Sequence, residues 1–288
     1  MTSKQLIPVA GHPLTVYGLE EYKALKVKKP VAIMFALHGR LQNMSKMEDI
    51  CQALCSLNNN NTERHLIVIT FDHPNHGGRL VHKPSNQDWG KNGQGNPFHA
   101  QDMWNMYNES SNTVSLLIDV VEDYLFGPTQ QSRVQVWGVM GFSMGGHSTF
   151  VAAANDPRIT VAIPIVGTAD FLGLLTARLN ASSLPENEYL PQKFQQVVKQ
   201  KMSNLDHRLK NTKLLIISGE KDKLVPGFYN NNLVKKLELT HSGKKGQDWD
   251  FIIVPDCGHE WKPLMFDLSR QWCQKWMLGT STSRQAHL

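Results

Sequence analysis

Short apolar runs recur along the chain, each bounded by turn residues. Val31 to Leu37, Leu66 to Phe71, Val134 to Met140, Val161 to Val166, Lys213 to Ser218 and Phe251 to Val254 all read as buried strands. Between them, Met44 to Leu57, Asn112 to Phe126, Met144 to Asn155, Gly227 to Leu239 and Trp261 to Met277 carry helical spacing or composition. Strand and helix alternate, which predicts an α/β fold with a mostly parallel sheet covered by helices on both faces. Leu6 to Ala10 and Leu14 to Tyr17 read as an opening hairpin. Two connections are long. Arg79 to Met103 is rich in Gly, Asn and His, and a loop of that length in an enzyme is usually functional. Ala169 to Leu209 holds a periodic stretch around Tyr189 to Met202, enough for a small helical cap at 169–209 inside one domain spanning 1–288. No repeat is visible.

Composition narrows the class. The apolar fraction is 41% and the charged fraction 19%, and no apolar run approaches the roughly 18 residues of a membrane span. The start, Met1 to Leu6, lacks the apolar stretch of a secretory signal, so an intracellular protein is expected. Cys51, Cys55, Cys257 and Cys273 form no paired motif and read as buried free thiols. Asn43, Asn60, Asn108 and Asn180 begin glycosylation-type triplets that an intracellular chain would not use. The net charge of +5 comes without a cluster of basic residues interleaved with aromatics, so no nucleic-acid partner is expected.

The chemistry concentrates in a few places. Gly141-Phe142-Ser143-Met144-Gly145-Gly146 follows an apolar strand and opens a helical segment. A sharp strand-to-helix turn brings neighbouring backbone close to the serine, and only small residues fit two positions before and after it. Gly141 and Gly145 meet that need. Ser143 then sits at the positive end of a helix, where the Met144 N–H can face a developing oxyanion. A second oxyanion donor would come from Leu37-His38-Gly39-Arg40 at the end of an earlier strand, with the Arg40 N–H as candidate. A serine hydroxyl also needs a base and an orienting carboxylate. Asp222 and His259 each follow a late strand, at the ends where such sheets collect site residues. Glu220, Asp256 and Asp170 remain alternative acids, whereas His147 points away from Ser143 by helical spacing. There is no HExxH metal motif, and His73-Pro74-Asn75-His76 reads as a turn.

With these motifs in hand, the chain from Val31 onward resembles the α/β-hydrolase superfamily. Phe71 to Arg79 is similar to its Asp-x-x-Gly-His-Gly segment, with Asn75 departing from the usual Gly; Gly219 to Pro226 looks like its acid loop and Gly258-His259 like its histidine loop. The superfamily's order of serine, acid and histidine implies Ser143, Asp222 and His259 as the triad. Within it the chain most resembles small esterases of the dienelactone-hydrolase and prolyl-oligopeptidase-like branch, fungal hydrolases among them. Such a chain has no room for a propeller. Serine as nucleophile argues against dehalogenase, epoxide hydrolase or dienelactone hydrolase chemistry proper. The resemblance implies a cofactor-free carboxylesterase-like serine hydrolase acting on a small-molecule ester or thioester. Trp89, Phe98, Met103 and Trp104 are candidates to line its acyl or alcohol pocket. Two other functions compete: acyl-CoA thioester hydrolysis or acyl transfer to an alcohol, and a non-catalytic receptor on the same fold. The final Ala286-His287-Leu288 is similar to peroxisomal targeting tripeptides, an alternative to a cytoplasmic address.

Overall fold

The computed structural model describes residues 2–128 and 131–279. It opens with a hairpin of β1 (Lys4–Val9) and β2 (His12–Tyr17), followed by a short helix α1 (Leu19–Ala24) and the first central strand β3 (Val31–Leu37). Then come α2 (Glu48–Cys55), β4 (His65–Phe71), the long α3 (His99–Phe126), β5 (Val134–Phe142), α4 (Met144–Asn155) and β6 (Ile159–Ile165). Four helices lie between β6 and the next strand: α5 (Phe171–Ala181), α6 (Glu186–Tyr189), α7 (Gln192–Lys201) and α8 (Leu205–Leu209). The chain continues through β7 (Lys213–Gly219), α9 (Asn231–Thr240), β8 (Trp249–Val254) and α10 (Pro263–Cys273), which runs on into a π-helical turn. Ala286-His287-Leu288 lies outside the described residues.

Among the described residues eight strands form one sheet, in the order β1-β2-β4-β3-β5-β6-β7-β8. β2 runs antiparallel to both β1 and β4, and the remaining pairings are parallel. Strand order reverses between β3 and β5, and a crevice opens at the carboxyl ends of strands flanking such a reversal. Leu37 pairs with Gly141 there, so the loop after β3 and the turn after β5 emerge side by side.

The alternation of strand side chains builds two cores. Val31, Ile33, Phe35 and Leu37 face one layer with Val114, Leu117 and Val121 of α3. Ala32, Met34 and Ala36 face the other, with Ile50, Cys51 and Leu54 of α2 and Met265 of α10. All four cysteines are buried as free thiols. A third apolar cluster joins the start of α3 to α5 and α7 through Trp104, Tyr107, Phe171 and Leu175.

Two elements depart from the sequence expectation. α3 begins at His99, not Asn112, so the connection after β4 is shorter than it reads. Its first half is held by tertiary contacts: Met103, Tyr107, Ser110, Val114 and Leu117 recur at three- and four-residue steps and are all buried, and so is Ser111 beside them. α1 was not expected, because its six residues alone cannot carry a helix; Leu19 and Tyr22 anchor it to the core. Among the described residues, no helix is long and apolar enough to cross a membrane.

Candidate active site

Ser143 occupies the turn between β5 and α4 with φ 55° and ψ −113°, a backbone conformation that costs a non-glycine residue about 1–3 kcal/mol. The surroundings hold it there. Ser143 N–H donates to Ile165 O at 2.8 Å, and its carbonyl accepts from His147 N–H at 3.0 Å. The glycines are required by close backbone: a Cβ on Gly145 would stand 2.1 Å from Leu37 O, and one on Gly141 would stand 2.3 Å from Gly145 O.

His259 and Asp222 arrive from the loops after β8 and β7. His259 Nε2 lies 2.8 Å from Ser143 Oγ, and Nδ1 lies 2.8 Å from Asp222 Oδ2. The Asp222 side chain is fully buried, and its second oxygen accepts the Leu224 and Val225 N–H groups, each at 2.9 Å. With Oδ2 on the ring and Oδ1 on the backbone, the carboxylate fixes the imidazole so that Nε2 offers its lone pair to the serine hydroxyl. The two loops brace each other through Lys221 N–H on Cys257 O at 2.8 Å. The other acids are engaged elsewhere. Asp170 caps α5 on Gly173 N–H, Glu220 accepts from Asp256 N–H, and Asp256 pairs with Lys221.

The loop after β3 is shaped by buried imidazoles. His38 Nδ1–H donates to Gly39 O at 2.8 Å while its Nε2 accepts the His73 N–H at 3.1 Å. His73 Nε2–H donates to His38 O at 2.8 Å, and its Nδ1 meets the Ser110 hydroxyl. Both carbonyls of the turn are thereby tied down, and the Arg40 and Met144 N–H groups have no acceptor among the described residues. Free N–H groups in such a turn and at a helix start suit an incoming oxyanion. From the sequence, His38 carries no role of its own within the oxyanion loop and His73 reads as part of a turn; the spacing carries no sign that β4 folds one back onto the other. Asp72 braces the same region by accepting Met44 N–H at 2.8 Å and Gly78 N–H at 2.7 Å. Asn75, at the position where related segments carry Gly, has φ 58°, a left-handed conformation that Asn tolerates better than most side chains. Its amide pins the following loop through Val81 and His82 N–H.

Trp89, Met103 and Trp104 are buried in the third apolar cluster, which also contains Met144, while Phe98 is 63% exposed and lies outside that cluster. His147 accepts the Thr168 N–H on Nδ1 at 3.0 Å and locks α4 to the segment after β6.

Burial keeps several of these imidazoles neutral. It pushes His38 and His147 each down to about 4 and His99 to about 3, and it holds His73 well below the usual histidine range. In the unfolded chain they would titrate near 6.5, so protons bind the unfolded state first as pH falls. The stability from these groups is complete above about pH 6.5 and is lost progressively as pH falls, down to about 4 for His38 and His147 and about 3 for His99. The thermal midpoint is therefore expected to fall steadily across that window. A midpoint that stays flat from about pH 7 to about pH 4.5 would show that these histidines are not buried and neutral.

The sequence model of the prolyl oligopeptidase family matches residues 89–272, more than half of the chain. No curated protein sequence matches it. Solved structures do. TT1662 from Thermus thermophilus superposes with a TM-score of 0.70 at 15% identity, covering 96% of this chain and 98% of that one. The Pyrococcus furiosus esterase Pf2001 gives 0.58 at 14% identity, with 96% and 93% covered. A cold-adapted esterase from an Arctic intertidal metagenomic library gives 0.56 at 16% identity, with 96% and 94% covered. Eight strands in this order and a family profile running from Trp89 to Trp272 lead to one assignment: the chain belongs to the prolyl oligopeptidase family of the α/β-hydrolase superfamily.

Proposed function

We propose that the protein hydrolyses carboxylic esters, with Ser143 as nucleophile, His259 as general base and Asp222 as its orienting acid. The unbroken line of two 2.8 Å contacts from Asp222 through His259 to Ser143 Oγ carries this reading. Two solved relatives of the same fold are described as esterases, which supports the reaction class.

His259 Nε2 takes the hydroxyl proton as Ser143 Oγ bonds to the ester carbonyl carbon. The carbonyl oxygen becomes an oxyanion and accepts the Arg40 and Met144 N–H groups. The carbon–oxygen bond to the alcohol then breaks, and the imidazolium returns its proton to the leaving alkoxide. Water attacks the acyl-enzyme by the same sequence, giving the acid and regenerating Ser143.

Hydrolysis of a p-nitrophenyl ester series of rising acyl length, by wild type and Ser143→Ala, tests this. Wild type is expected to turn over, and the variant to lose about 10⁴-fold or more in kcat. Equal rates for the two proteins would remove Ser143 from the chemistry. Two inactive proteins, with no labelling of the wild type by a fluorophosphonate, would instead point to a non-catalytic use of the fold.

A further inference from the structure

Two guanidinium groups adjoin this machinery. Arg40 follows Gly39 in the loop held by the histidines, and its Nη1 donates to Asn86 O at 3.1 Å. Arg178 lies in the last turn of α5, and its Nη2 donates to Leu224 O at 2.6 Å. Leu224 is the same residue whose N–H holds Asp222 Oδ1. One arginine thus grows from the loop of the candidate oxyanion donor, and the other is fastened to the loop of the acid.

Neither makes an ion pair among the described residues; each is anchored through a backbone carbonyl and keeps further N–H donors. Burial, followed by the positive charge of Arg40, holds the Arg178 guanidinium down to about 10. Burial likewise lowers Arg40. Asp88 is the acid that acts on Arg40, and Asp222 followed by Asp88 act on Arg178; the Asp222 carboxylate is taken up by His259 and two backbone N–H groups, and Asp88 is exposed and turns its carboxylate to the Gly90 N–H. A cleft of about 330 Å³ opens beside Arg40, walled by Asn86, Asp88, Gly90 and Gln94. Two half-buried cations in one another's field are costly when unpaired, and tethering two backbone carbonyls does not need them. A planar anion accepting from both forks would reverse that cost.

We infer that Arg40 and Arg178 form a carboxylate-recognising subsite, so that the preferred ester carries a free carboxylate a few atoms from the carbonyl attacked by Ser143. This deepens the ester-hydrolase reading and rests on it.

The test compares p-nitrophenyl hemiglutarate with p-nitrophenyl hexanoate, an uncharged acyl chain of similar length, by the ratio of their kcat/KM values. Wild type is expected to favour the hemiglutarate by about tenfold or more. Arg178→Gln should bring the ratio close to one, mainly through KM, and Arg178→Lys should restore part of it. Arg40→Gln, which keeps its backbone N–H, provides a second variant read by the same ratio. A wild-type ratio near one, or a ratio that neither variant moves, overturns the inference while leaving ester hydrolysis standing. If neither ester is turned over, calorimetric titration with glutarate decides. Binding that weakens about tenfold in Arg178→Gln supports the subsite without the chemistry, and no binding to the wild type overturns it.

Discussion

Asp222→Asn is expected to lower kcat for ester hydrolysis by about 10⁴-fold with little change in KM or thermal midpoint. The amide is isosteric, and its oxygen can go on accepting the Leu224 and Val225 N–H groups, so the buried loop keeps its shape. What changes is the partner of His259. The amide nitrogen replaces the oxygen 2.8 Å from Nδ1 and donates a hydrogen bond where the carboxylate accepted one. Nδ1 must then carry the lone pair, and the ring proton moves to Nε2, facing Ser143 Oγ. A ring with its proton on that side cannot take another from the serine. Steady-state kinetics beside a thermal melt decides the point: a loss of less than about tenfold with an unchanged melt would show that Asp222 does not set the tautomer.

The second large effect falls on folding. Gly145→Ala puts a methyl group 2.1 Å from Leu37 O and 2.8 Å from His38 O, both backbone atoms of the β3 end. No rotamer relieves that contact, so α4 must move away from the sheet or β3 must bend. Overpacking of this kind costs about 3 kcal/mol or more, which corresponds to a drop in midpoint of roughly 10 °C for a chain of this size. Gly258→Ala is the control, since a Cβ there meets open space and should leave the midpoint in place. Thermal melts of both variants test the argument, and a Gly145→Ala protein that melts with the wild type would mean that the elbow is looser than its contacts imply.

The parts of this structure that were legible in the sequence share a physical cause. β3 is buried on both faces, so Val31 to Leu37 is apolar at every position and its ends match the structure. β8 is only partly buried at the sheet edge, and the sequence revealed its last four residues but not Trp249 and Asp250. The elbow was visible because steric need fixes two glycines at fixed offsets from Ser143. The choice of acid was not a local matter. Asp170, Glu220, Asp222 and Asp256 all follow strands, and only the folded chain shows that three of them cap, pair or accept elsewhere. His38 and His73 escaped for the same reason, because their meaning lies in a contact across 35 residues. The four helices after β6 were only partly legible. α7 shows its periodicity, whereas α5 is apolar along most of its length and has no polar face to mark it.

Ser143 and His259 are separated by 116 residues, and the strand that delivers the histidine is the last one among the described residues. As the polypeptide leaves the ribosome, the central strands and the serine turn can assemble while His259 is still being synthesised. Hydrogen bonding at Ser143 Oγ waits for β8 to add to the open edge of β7, the longest loop closure in the assembly of the site. An unfinished chain therefore carries a serine turn already in shape but without the imidazole that meets its hydroxyl, and that contact arrives only when the sheet is complete.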